Sequence, residues 1–155
     1  MKAITIWGPW AHLIALGAKP FEFRGWAAPR ALVGMRIAIH AGARPVRPSE
    51  VRGILFKLRG GSPWEAGLVP EIATPFLWKV LTAPKSLPLS HVLCTVVLGA
   101  PVRATSAVMA HFGMPAGNDS DRDEHFNFAW PMLEVEPLTP PVPARGAQGF
   151  WNWTP

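Results

Sequence analysis

The chain has no tyrosine and a single cysteine, Cys94, among its 155 residues. One thiol closes no internal disulfide and builds no cysteine-based zinc site. It stands in His91–Leu98, a run apolar on both faces, where a buried and inert thiol is expected. No apolar run reaches the roughly 18 residues that a membrane-spanning helix requires, so no span is expected. The N-terminus enters a strand-like run without the basic start and apolar block of a secretory signal, and the expected location is the cytoplasm. P-loop, dinucleotide-binding glycine, serine-elbow and paired-histidine zinc patterns are all missing, so neither a cofactor nor a resident metal is expected. Charged residues are few, 16% against 49% hydrophobic, a balance that excludes a disordered chain.

Proline and tryptophan are abundant. Eighteen prolines and 14 glycines call for many turns and short elements. The length fits one domain over residues 1–155 with a core that needs no staples. The net charge is +5, and its distribution is uneven. Between Phe23 and Trp64 stand eight basic residues and one acid, Glu50, whereas Asp119–Glu136 holds six acids and one base, Arg122. Such polarity suits a molecule with a phosphate-facing side.

The stretch Ile4–Trp26 organises the chain. Ile4–Trp7 reads as a strand, and Gly8-Pro9 breaks it, with Pro9 suited to a helix start. Trp10, Leu13, Ile14 and Gly17 then recur with helical spacing, and Gly17 suits the residue past a helix end. Beyond it the period becomes two: Phe21 and Phe23 alternate with Glu22 and Arg24, rings to one side and charges to the other. Lys19, Glu22 and Arg24 therefore converge at one mouth between a helix end and a strand. The alternative is an ordinary ion-pair group on a wet strand face.

The pattern Gly17-Ala18-Lys19-Pro20-Phe21-Glu22-Phe23-Arg24, read as G-x-K-x-x-E-x-R after Pro9-Trp10 and a short helix, resembles the signature of the ASCH domain family. Phe128-Ala129-Trp130 and the late Gly146–Trp151 stretch are similar as well, so the resemblance covers both ends of the chain. It implies an α+β fold, a small PUA-like β-barrel of mixed and antiparallel strands with two to four short flanking helices. It also implies a cleft that binds RNA or another nucleic acid. Some ASCH-related proteins are amidohydrolases that deacylate N4-acylated cytidine, and others are reported as ribonucleases. Lys19 matches the amidohydrolase lysine, but Glu22 stands where those enzymes have threonine. Their catalytic glutamate has no assigned counterpart here; Glu71 and Glu124 are the candidates.

Along the rest of the chain, Met35–Ala41 predicts a strand with His40 on its polar side, near the Lys19–Arg24 mouth if the two strands pair. Ser49 is the expected cap of a helix ending at Gly60-Gly61, with Arg52, Lys57 and Arg59 exposed. Ser62–Pro70 reads as irregular, and Thr74-Pro75 as the start of a short helix. His91–Leu98 is a strand covered on both faces, kinked at Gly99 and Pro101 and resumed at Val102–Ala104. Thr105–Gly117 is expected to hold a short helical turn before a glycine-rich loop. The acidic loop Asn118–His125 lacks the glycine and glutamate that an EF-hand would need and reads as solvated. Phe126–Val135 predicts a strand with a bulge near Pro131, followed by a proline-rich crossing over Pro137–Pro143 to a last strand at Phe150–Trp153.

The candidate ligand-binding residues are Trp10, Lys19, Glu22, Arg24, His40 and Trp130. Lys19 and Arg24 would hold a phosphate or base carbonyl, Glu22 would accept from a base amino group, and Trp10 or Trp130 would stack on the base. The partner is then RNA, single-stranded nucleic acid or a modified nucleoside. One alternative is a small hydrolase with Lys19 and Glu22 as catalytic residues, the lysine made neutral by Arg24 and the carboxylate relaying a proton. The other is a protein-interaction module using the proline-rich stretch and exposed tryptophans.

Overall fold

The computed structural model describes residues 1–61, 63–104, 111–112 and 128–155. The elements in order are β1 (Lys2–Ile6), α1 (Trp10–Ala15), β2 (Phe21–Arg24), β3 (Arg36–Ala41), α2 (Pro48–Arg59), α3 (Pro63–Ala66), α4 (Pro70–Thr82), β4 (His91–Leu98), β5 (Val102–Arg103), β6 (Phe128–Pro143) and β7 (Phe150–Asn152). Among the described residues seven strands form one mixed sheet in the order β2-β6-β4-β3-β1-β7, with β5 also on β6. Among the described residues only the β1–β3 pairing is parallel. The sheet curls as a half-barrel with four helices, the α+β class that the sequence predicts.

β6 is the spine of this sheet and differs from the sequence expectation. The proline-rich segment is not a separate crossing but the second half of one 16-residue strand. Cys94 pairs with Pro137, Val92 with Val142 and His91 with Pro143. Prolines lack the N–H that a regular ladder uses, and the register shifts between Val92 and Cys94. The phase does slip, at a bulge further along than Pro131, but of the second expected apolar set only Val135 turns inward, and Leu133 stays 48% exposed. Register shifts again between Thr95 and Val97, opposite Glu134, whose φ is 45°. Pro131 itself pairs with Phe21 of β2.

Gly99 lets β4 pass this strand closely. A Cβ there would lie 2.6 Å from that of Pro131, while the Gly99 N–H donates to the Pro131 carbonyl at 2.8 Å. β5 then resumes along β6, Val102 opposite Ala129.

Helix starts move from their predicted places. α2 is capped by Arg47, two residues before the expected Ser49 cap, and begins at Pro48. Proline fits a first helical position, and the Glu50 carboxylate accepts the Arg47 N–H at 3.3 Å. α4 begins at Pro70 and carries Pro75 inside it. An interior proline loses a hydrogen bond; Ala73, Leu77 and Val80 of the same helix are buried in the helical core, and that burial offsets the loss. The stretch expected to be irregular contains α3.

The core has two main parts with α1 between them. Ile14 and Ala11 join β1, β3 and β4 side chains on the sheet, whereas Leu13 joins α2 and α4. Trp10 packs against both. Cys94 is buried, and its burial pushes the thiol pKa up to about 12, which makes it inert. Among the described residues no helix is long and apolar enough to cross a membrane. The helical turn expected in Thr105–Gly117, apart from His111 and Phe112, lies outside the described residues, as do the expected acidic loop Asn118–His125 and Phe126.

Candidate functional site

The turn after α1 places the first functional side chain. Gly17 takes φ +73°, which allows the Ala18 and Lys19 N–H groups both to donate to the Leu13 carbonyl, at 2.9 and 3.1 Å. The chain then enters β2 with Glu22 paired to Trp130 and Arg24 to Phe128. Glu22 and Arg24 share a strand face because side chains alternate, and Lys19 reaches over from the turn.

The three charges do gather. Lys19 Nζ donates to Glu22 Oε2 at 2.7 Å and to the Phe21 carbonyl at 2.5 Å. Arg24 Nε lies 3.0 Å from Glu22 Oε1, within ion-pair reach but out of line for a hydrogen bond. Side-chain exposure falls from 30% for Arg24 to 9% for Glu22 and 5% for Lys19. Lys19 Nζ also stands 5.3 Å from the Phe23 ring centre and 5.9 Å from that of Trp10, distances at which a ring face attracts a cation. The carboxylate therefore separates the two cations. This differs from the arrangement in which Arg24 crowds the Lys19 ammonium directly. Arg24 is the member that reaches the surface, and among the described residues its guanidinium makes no hydrogen bond.

Trp130 and His40 lie elsewhere. Trp130 is fully buried, stacked on Phe150 at 5.8 Å, with its indole N–H donating to the Trp26 carbonyl at 3.1 Å. It is a core residue with no face left for a base. The exposed indole nearby is that of Trp26, 44% accessible, whose edge meets Trp130. Its position two residues past Arg24, in phase with the alternation, was the sequence signal for it.

His40 does not approach the mouth, because β2 and β3 do not pair: β6 and β4 lie between them. Its ring is buried against Thr5 Oγ1 at 3.2 Å, the Ala144 carbonyl at 3.0 Å and the edge of Trp151. A Cβ at Gly146 would lie 2.4 Å from this ring, so that glycine closes the packing. Burial lowers the His40 pKa, the Ala144 carbonyl opposes that shift, and His91 adds to it.

A second buried histidine, His12 on α1, carries no sequence signal. One ring nitrogen meets the Pro88 carbonyl at 3.1 Å, and the ring stacks on Phe76. Burial lowers its pKa to about 4, with the Pro88 carbonyl opposing. Glu71 is exposed in the first turn of α4, and Glu124 lies outside the described residues.

No protein-family model and no curated protein matches the chain. The ASCH protein of Zymomonas mobilis is similar at 16% identity over 92% of this chain and 72% of that one, with a TM-score of 0.44. Two mutants of the Zymomonas mobilis protein give TM-scores of 0.47 at the same identity, over 72% and 74% of their chains.

Proposed function

We propose that the Arg24 edge of this cluster binds RNA or a modified nucleoside. The observation that carries the reading is a guanidinium anchored from behind by a buried carboxylate and partly open in front. Glu22, itself held by Lys19, fixes the direction of Arg24. A planar fork so oriented suits a phosphate or a base carbonyl. Trp26, exposed two residues further on, replaces Trp130 as the stacking face. Lys19 and Glu22 act as positioning residues, because both are nearly sealed from solvent.

Titration with a short RNA and with N4-acetylcytidine at several salt concentrations tests this reading. Arg24→Ala should weaken binding by about 1.5–3 kcal/mol, the worth of a hydrogen bond to a charged group, while the protein stays folded. Unchanged affinity in that variant would refute it.

The 2.7 Å contact between Lys19 and Glu22 also favours a second reading, a hydrolase in which the carboxylate exchanges a proton with the amine. Turnover of N4-acetylcytidine or RNA, abolished in a folded Lys19→Met variant, is the result that reading requires.

A further inference from the structure

The helical side of the molecule carries charges and rings that the fold does not use. Arg52, Phe56 and Arg59 follow one another at i, i+4 and i+7 on α2, so they form one stripe. The buried stripe of that helix is a different one, made by Val51, Ile54, Leu55 and Leu58. Phe56 is 80% exposed and Trp78, across on α4, is 48% exposed. Between the two helices runs an open groove of about 690 Å³, lined by Arg52, Phe56, Arg59, Trp78, Leu55 and Leu81. Among the described residues no acidic side chain lines it. Glu50, the acid of α2, is engaged by Arg44. Among the described residues Arg52 and Arg59 make no ion pair or hydrogen bond, and Phe56 and Trp78 stack on no other ring.

We propose that this groove docks single-stranded nucleic acid, with Phe56 and Trp78 as stacking faces and Arg52 and Arg59 as phosphate contacts. Seven residues of helix separate the arginines by about 10 Å, with a ring between them. Cations alternating with rings suit a strand whose bases are unpaired, since each base offers a face to stack and each link a phosphate to neutralise. A duplex keeps its bases stacked inside and offers the rings nothing. The proposal stands apart from the reading of the Arg24 edge, because the groove is built by helices alone.

The test is an anisotropy titration of the whole chain with a labelled uridine oligonucleotide of about 12 nucleotides, over a series of salt concentrations. Phe56→Ala and Trp78→Ala should each weaken binding about 5- to 150-fold. The double variant Arg52→Gln/Arg59→Gln should flatten the slope of log K against log salt by about 1.4. Phe56 and both arginines are exposed, so these variants keep their fold; should Trp78→Ala melt early, Phe56→Ala carries the stacking test. Absence of binding overturns the proposal. So does binding untouched by the groove variants and lost only in Arg24→Ala, or equal binding of a duplex of the same length. An acidic helical peptide docking there in place of the oligonucleotide overturns it as well.

Discussion

Two three-membered ion clusters stand on the sheet with opposite layouts. At β2 one carboxylate, Glu22, sits between two cations, Lys19 and Arg24. At the other, Arg36 of β3 sits between two carboxylates of β6, Glu134 at 3.0 Å and Glu136 at 3.2 Å. The contact distances are alike; the surroundings are not. Glu22 is 9% exposed, whereas Glu134 and Glu136 are 70% and 65% exposed. Water and salt weaken the second cluster and hardly reach the Lys19–Glu22 pair of the first. The Lys19–Glu22 contact therefore holds a fixed direction at low dielectric, which the Arg36 contacts lack.

Removing the central group of each cluster is the sharpest test of that contrast. Glu22→Ala leaves the Lys19 ammonium buried without its carboxylate and should cost about 3–5 kcal/mol, seen as a drop of roughly 10 °C in thermal midpoint. A loss below about 1 kcal/mol would mean that the two clusters are energetically the same.

Acid sharpens the comparison once the histidine background is removed. His12 has a folded pKa of about 4 against an ordinary value of 6.5. Between these values the unfolded chain binds more protons, so stability falls as pH drops from about 6.5 toward about 4. The full loss is about 3 kcal/mol. His40, also lowered by burial, acts in the same direction. Denaturant midpoints measured across this window should decline more gently in His12→Gln; parallel curves would remove His12 as the source.

Arg24→Ala takes away only the outer, partly solvated cation and should cost about 1–2 kcal/mol of stability, a smaller effect than its loss of affinity. Arg36→Ala should be mildest, about 1 kcal/mol or less. The difference between it and the parent should shrink in about 1 M salt, where screening acts within about 3 Å. If salt narrows the Glu22→Ala deficit equally, the burial argument fails.

Much of the β2 site was legible in the sequence. The Phe–Glu–Phe–Arg alternation put Glu22 and Arg24 on one face, and Gly17 marked the turn that delivers Lys19. Both signals are local, set by strand pleat and by one positive φ. The tryptophan assignment failed because burial is a long-range property. Trp130 and Trp26 both stand in strand-like or turn-like sequence, and only packing on Phe150 decides which one is covered. The helix boundary at Pro75 failed for a related reason: proline's local cost was visible, but the apolar face that outweighs it was not.

The chain's own covalent geometry determined the elements near the site, the side each residue faces within them, and the reach of Lys19 to Glu22 across three positions. Only the tertiary structure decided that β6 enters the sheet between β2 and the rest, which sends His40 to a different polar core. It also decided that the exposed rings of α2 and α4 face one groove. Spacing along a strand or helix follows from bond lengths and dihedrals, whereas the neighbour of a strand is selected by pairings between residues more than a hundred positions apart.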